Sequence, residues 1–254
     1  MKIFGKYSDF YDALYKDKDY QKECTIIKNT FEKYCDKPVK TILDLGCGTG
    51  NHDFILNDWG YKITGVDRSD AMLSIAQKKK AKLKNKTGIH FIKNDIKKLK
   101  LREKFDAVIM MFGVLSYQLA DTDVEAALST AKNHLKDNGL FLFDAWYGPA
   151  VLHNGPSQRM KKVKTEDGEI IRYAITDMNS QIKICTVHYK TVNTQNRKAV
   201  NTIMEDHSMR FFFPEEIELF LKNSGFKNLY KTSFPDLKNP SENSWNVFWV
   251  SKAI

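Results

Sequence analysis

The first chemical signal is the run Asp44-Leu45-Gly46-Cys47-Gly48-Thr49-Gly50. Glycines remove side-chain bulk, so a ligand can approach the backbone and meet its N–H groups. The run follows a short apolar stretch, Thr41 to Leu45, and precedes a helix start near Asn51, the strand-turn-helix context such a loop needs. Its spacing is GxGxG; Asn51 stands where a dinucleotide fingerprint would place its third glycine. Asp67 follows Gly46 by 21 residues and ends a second strand. A carboxylate there can accept from both ribose hydroxyls of an adenosine group. Asp95, in Asn94-Asp95-Ile96, ends a third strand. It can reach the exocyclic amine of an adenine while Ile96 packs on the ring.

These residues need a scaffold, and the pattern around them supplies one. Strands are expected over 41–45, 61–66, 89–93, 105–111 and 140–146. Helices are expected from about Asn51, over 70–83 and over 121–135, and Asn138-Gly139 reads as a turn before the fifth strand. Strands alternating with helices imply βαβ units and a mostly parallel sheet, with ligands at the carboxyl edge. Ahead of them, Ser8 and Asp19 read as caps of two helices, the first with Phe10, Tyr11, Leu14 and Tyr15, the second with Tyr20, Cys24, Ile27 and Phe31. From about 158 to 212 no helix is expected; strands at 170–177, 182–192 and around 201–213 make an antiparallel insertion. Pro214 opens a last helix that Gly225 closes, and two strands, 229–234 and 245–250, return to the main sheet. The division is 1–150 lid and core, 151–212 cap, and 213–254 returning elements.

At these residues the chain resembles the class I S-adenosylmethionine-dependent methyltransferases. The matching pieces are DLGCGTG at 44–50, Gly65 through Met72, Asn94-Asp95-Ile96, Phe105-Asp106-Ala107-Val108 and NGLFLFD at 138–144. The resemblance implies a Rossmann-like, seven-stranded, mostly parallel sheet. It implies that Gly46 and Gly48 contact the methionine part of the cofactor and that Asp44 lies near its amino group. It places Asp67 on the ribose, Arg68 and Met72 beside the adenine, Asp95 and Ile96 bracketing it, and Met111 along the cofactor. Cys47 reads as a small loop filler and His52 as a first-turn helix residue.

A closer resemblance, to sugar-amine N-methyltransferases acting on nucleotide-linked amino sugars, lies in Phe10 through Tyr15 with Lys18-Asp19-Tyr20. It continues in Met111-Phe112 to Ser116-Tyr117, Asp144 through Pro149, and His207-Ser208-Met209-Arg210. Tyr117 stands where relatives often have His, and Asp144 where many have Glu. By position, Tyr11 and Tyr20 face the cofactor from a helical lid, and Tyr117 and Trp146 lie beside the donor methyl. Tyr11 and Tyr117 are the candidates to orient or deprotonate the acceptor. Trp146, His207 and Arg210 are the candidates to bind it, Arg210 through a phosphate.

The expected acceptor is the amine or hydroxyl of a small molecule, a sugar or nucleotide-linked sugar. Competing readings are an O-methyltransferase for a surface-polysaccharide precursor or other metabolite, a nucleic-acid methyltransferase, and a cofactor-binding protein without activity. Composition weighs on the nucleic-acid reading. The 254 residues carry a formal charge of +9, yet residues 78–104 hold 12 bases and 2 acids, so the remainder is net −1. That ridge belongs to the scaffold side of the resembled fold, away from the acceptor mouth. The chain also lacks any Pro-Pro, hence the (D/N)PP(Y/F) motif of nucleic-acid amino-methyltransferases. No secretory signal, no membrane span and no metal-like cysteine cluster is read, which points to a cytoplasmic protein with free thiols. A homodimer is left open.

Overall fold

A computed structural model describes residues 4–83, 87–166, 168–195 and 198–254. Strands β1 (Thr41–Leu45), β2 (Lys62–Asp67), β3 (Ile89–Lys93), β4 (Phe105–Met110) and β5 (Leu135–Trp146) are parallel. They are extended by β11 (Asn246–Ala253), antiparallel to both β5 and β10 (Phe226–Ser233). The spatial order is β10-β11-β5-β4-β1-β2-β3. Strand order reverses between β1 and β4, and a doubly wound sheet binds ligands at the carboxyl ends of the strands flanking such a point.

The central strands are largely apolar because helices cover both faces. Successive side chains alternate between the faces. Leu43, Val108, Met110, Phe141 and Phe143 pack with α5 (Asp121–Asn133) and α7 (Pro214–Asn223). Ile42, Ala107, Ile109, Leu140 and Leu142 pack with α2 (Tyr20–Tyr34) and α3 (Asn51–Asp58). Between β2 and β3 lies α4 (Asp70–Ala81), and α1 (Ser8–Leu14) precedes α2.

A second, wholly antiparallel sheet has the order β6 (Gln158–Lys164), β7 (Gly168–Asn179), β8 (Ile184–Gln195) and β9 (Lys198–Arg210). Its register sets Ala174, Tyr189 and Glu205 in one row, and Thr176, Val187 and His207 in the next. Those rows face the main sheet.

Several expectations need correction. Ser8 is the first residue of α1, not its cap; its hydroxyl donates to the Gly5 carbonyl at 2.7 Å. Asp19 does cap α2, accepting from the Lys22 N–H at 2.8 Å. Asn138-Gly139 does not separate a helix from a strand. It forms a bulge inside β5, where Phe105 pairs with Leu135 but Ala107 with Leu140, and Asn138 takes φ 61°. The turn joining β7 and β8 extends to Lys183, so Ile182 lies in it and is exposed. Strand β6 and helix α6 (Gly148–Asn154) were not anticipated; β6 reads Gln-Arg-Met-Lys-Lys-Val-Lys, an edge strand whose charges hide its period. Residues 84–86 of the basic ridge lie outside the described residues.

Candidate active site

A cavity of about 360 Å³ opens at the carboxyl ends of β1, β2 and β4, beneath α1, α2 and the second sheet. The glycine turn forms its floor. Gly46 takes φ +91° and its α-carbon faces Val114; an added Cβ would lie 2.6 Å from that side chain. Gly48 takes φ +56° and its α-carbon faces open space, with nothing within 4 Å of an added Cβ. Asp67 links the turn to β2: the Gly48 N–H donates to Oδ2 at 2.9 Å and the Ser69 N–H to Oδ1 at 2.8 Å. Each oxygen keeps lone-pair capacity toward the cavity. Burial pushes the Asp67 carboxyl up, and those two N–H groups oppose it.

Arg68, Met72, Asp95, Ile96 and Met111 line the same half of the cavity, with Met72 and Met111 almost fully buried. Tyr11 and Tyr20 line it from the lid helices. The Tyr20 ring meets His52 edge-on at 5.0 Å, and the Lys18 ammonium lies 4.8 Å above it. Behind His52, Glu23 accepts from Nε2 at 2.8 Å and pairs with Lys18. Burial alone would raise the Glu23 carboxyl; the His52 and Lys18 contacts outweigh it and hold it low.

Asp44 does not reach the cavity wall. It is 2% exposed beneath the turn, where its carboxyl interacts electrostatically with that of the wholly buried Asp53. Two carboxyls in contact need a shared proton. Burial first, and then the mutual charge, push Asp44 well up, while burial takes Asp53 to about 7. The expected place of Asp44 beside the cofactor amino group is therefore not what this packing shows.

The other half of the cavity lies under the second sheet. Tyr117, Trp146 and His207 line it. Tyr117 sits on a short 3-10 turn (Leu115–Tyr117), reached through Phe112 and Gly113 in left-handed conformations. Asp144 steadies that loop, its Oδ1 accepting from the Gly113 N–H at 3.0 Å. Burial raises the Asp144 carboxyl to about 6. The Tyr117 hydroxyl lies 2.8 Å from His207 Nδ1. Burial pushes the Tyr117 phenol up and the His207 imidazole down to about 4, the latter aided by the charge of Arg172.

Arg210 is absent from this wall. Residues three apart on a strand face opposite ways, so Arg210 cannot share the side of His207. It pairs with Glu216 and, at 2.7 Å, with Asp121, its guanidinium 4.9 Å over the Phe212 ring. Besides Arg68, the arginines that do line the cavity are Arg159 and Arg172. Arg172 donates to the Tyr7 hydroxyl at 2.8 Å and the Tyr15 hydroxyl at 3.0 Å, and stacks on Tyr189 at 4.9 Å. Sequence reasoning missed Arg172, Tyr7, Tyr15 and Tyr189. Strand periodicity was the available signal, since Arg172 falls between Ile170 and Ala174 on the buried side of β7.

Comparison with known proteins agrees with this geometry. The methyltransferase domain family matches residues 42–139. A putative methyltransferase of Bacillus subtilis is 29% identical over 213 residues, covering 83% of each chain. The dTDP-3-amino-3,4,6-trideoxy-alpha-D-glucopyranose N,N-dimethyltransferase of Streptomyces venezuelae is 24% identical, covering 90% of this chain and 93% of its own. An S-adenosylmethionine-dependent methyltransferase structure from Clostridium acetobutylicum has a TM-score of 0.82 at 22% identity, covering 99% of both chains. A sugar N-methyltransferase from Streptoalloteichus has a TM-score of 0.81 at 20% identity, covering 100% of this chain and 96% of its own. The chain carries a methyltransferase domain and resembles, over nearly its whole length, S-adenosylmethionine-dependent methyltransferases, the amino-sugar N-methyltransferases among them. The donor set fits that cofactor: open space over Gly48 for the methionine part, two acidic strand ends for ribose and adenine, and apolar Met72 and Ile96 for the ring.

Proposed function

We propose that the enzyme methylates an amine or hydroxyl of a sugar or nucleotide-linked sugar. S-adenosylmethionine supplies an electrophilic methyl group on a sulfonium, so the protein chiefly aligns an acceptor and manages its proton. Gly46 and Gly48 take the methionine part, Asp67 the ribose, and Asp95 with Ile96, Arg68 and Met72 the adenine. Met111 runs along the cofactor, and Tyr20 closes over it. Tyr11 and Tyr117 face the acceptor, and residues 151–212 act as its cap.

The observation that carries this reading is the roofed acceptor chamber. Aromatic walls (Tyr15, Tyr117, Trp146, Tyr189) stand with two guanidiniums, Arg159 and Arg172. Aromatic faces stack on sugars and bases, and guanidiniums grip phosphates. The sugar substrates printed in the names of the Streptomyces relatives support the same class. Four free cysteines suit a reducing cytoplasm, and no helix among the described residues is long and apolar enough to cross a membrane.

A hydroxyl acceptor is the second reading, favoured by the Tyr117–His207 hydrogen bond, because a hydroxyl needs a base. Labelled cofactor offered with amino-sugar nucleotides, free amino sugars, RNA and protein tests the class. Label in a sugar supports it; label only in RNA or protein sinks it. Tyr117→Phe then separates the two acceptors, nearly abolishing O-methylation but only weakening N-methylation.

A further inference from the structure

Tyr117 and His207 come from different parts of the chain, the turn after β4 and the insertion strand β9. His207 is 2% exposed, and its ring is walled edge-on by Phe4 at 4.8 Å, Tyr189 at 5.1 Å and Tyr7 at 5.7 Å. Nδ1 meets the Tyr117 hydroxyl, while Nε2 has no hydrogen-bond partner. Nε2 instead faces the carboxylate of Glu205, 3.8 Å away and 4% exposed. Glu205 in turn accepts from the Gly5 N–H at 3.4 Å. The inward neighbours of His207, in register or on the strand, are Val187 and Met209. Packing alone would be served by another apolar residue; a buried imidazole with one orphaned nitrogen costs stability.

We propose that His207 is a positioning residue for Tyr117, taking the phenol's proton as Tyr117 takes the acceptor's, with Glu205 holding the resulting imidazolium. This rests on the small-molecule reading above. The acceptor nitrogen or oxygen forms its bond to the methyl carbon as the carbon–sulfur bond breaks and its electron pair stays on sulfur. The acceptor's proton passes to Tyr117 Oη, and the proton already on Oη passes to His207 Nδ1. As product leaves, the proton returns to Tyr117 and then to water. A phenol alone is a poor base near neutrality; backed by a neutral imidazole it becomes a conduit. The charged or titratable groups facing that imidazole are Tyr117 from the turn, Tyr189 from β8, Tyr7 before α1, and Glu205 on β9; Asp206, paired with His188 on the opposite face, acts only through its charge. Arg172 from β7 and Arg68 after β2 complete the set. Burial and the two arginines keep the ring neutral, and Asp206 opposes them.

His207→Asn keeps an amide acceptor near the Nδ1 position but cannot take a proton. Its kcat is expected to fall about 100-fold at pH 6.5, with the deficit narrowing steadily toward pH 9 as hydroxide takes over. KM is expected to stay within about threefold. A deficit constant across pH, or a kcat within about twofold of the parent, overturns the proposal. The second arm needs no acceptor: 15N NMR of ring-labelled histidines with S-adenosylhomocysteine bound. Tyr117→Phe should move the His207 Nδ1 resonance while cofactor affinity stays unchanged; an unmoved resonance overturns the coupling. If no sugar is methylated, that failure belongs to the acceptor reading. The kinetics are then run on whichever acceptor class is labelled.

Discussion

Lys79 Nζ lies 2.7 Å from Asp12 Oδ2, an ion pair that ties α4 to the lid helix α1 above the glycine turn. The same ammonium donates to the Thr49 carbonyl at 3.2 Å and to Asn51 Oδ1 at 2.7 Å. Asp12 Oδ1 accepts from the Thr49 hydroxyl at 2.7 Å. A lysine of the basic ridge is thus a clasp over the glycine turn proposed to hold the cofactor. The pair alone, part-exposed, contributes less than about 1 kcal/mol. Asp12→Ala removes the hydroxyl, amide and ammonium partners together, so the cofactor Kd should rise about tenfold, or about 1.4 kcal/mol. Calorimetric titration reads it; an unchanged Kd would mean that the lid closes without the clasp.

Gly46 and Gly48 should fail differently. An alanine methyl at Gly46 would collide with Val114 at 2.6 Å in a left-handed backbone, so Gly46→Ala should lose about 2–4 kcal/mol of stability. At Gly48 the methyl meets no protein atom within 4 Å, so only the backbone cost of about 1–2 kcal/mol applies. That methyl enters the space assigned to the methionine part, so cofactor affinity should fall at least about tenfold. Denaturant melts and cofactor titration of both variants check the contrast; equal profiles would remove Gly48 from the ligand wall.

Where local chemistry dictates structure, the sequence was a sufficient guide. The glycine turn, Asp67, the cap Asp19 and the alternating βαβ elements all declare themselves within a few residues. The acceptor half does not, because its members meet only through long-range pairing. Tyr117 reaches His207 across 90 positions, and Arg172 reaches Tyr7 across 165. Arg210 misled for a related reason: a phosphate ligand and a buried structural cation look alike until Glu216 and Asp121 are placed beside it. Asp44 misled because nothing local announces that Asp53 turns back beneath the same loop.

The Asp44–Asp53 pair makes stability depend on pH. Burial holds Asp53 at about 7 against an ordinary 3.8, so the folded state keeps a proton that the unfolded chain releases. Its contribution is complete below about pH 3.8 and is lost as pH rises through about 7. His207 runs the other way: held at about 4 against 6.5, its contribution is complete above 6.5 and is lost as pH falls through about 4. Comparing variant with parent isolates the first effect. Asp53→Asn should be more favourable relative to the parent at pH 8 than at pH 5. The swing should be on the order of 2 kcal/mol, or roughly 4–8 °C in Tm. A difference independent of pH would show that the pair does not share a proton.

Arg210→Ala should be a folding defect and nothing more. The guanidinium is almost fully buried, and its removal takes one partner from Glu216, leaving Lys183 at 2.9 Å and the Phe213 N–H at 3.4 Å. Stability should fall by about 3 kcal/mol. Acceptor KM, measured below the melting transition, should stay within about twofold. A large rise in KM would return Arg210 to the acceptor site.

Arg172 should show the opposite balance. Its guanidinium bridges the Tyr7 and Tyr15 hydroxyls, joining β7 to the lid, and its Nε is buried without a partner. Methionine at this position keeps the stem between the Tyr15 and Tyr189 rings but offers no donor. The residues proposed for the cofactor, Asp67, Asp95 and Gly48, are not partners of Arg172, so cofactor Kd should move less than about twofold. An acceptor held through a phosphate loses a charge-assisted hydrogen bond worth about 1.5–3 kcal/mol, so its KM should rise about 10- to 100-fold. The same amino sugar without its phosphates, assayed beside it, supplies the control: its KM should not depend on Arg172→Met. If both acceptors weaken equally, Arg172 acts by holding the lid; if only the phosphorylated one does, the guanidinium reads the anion.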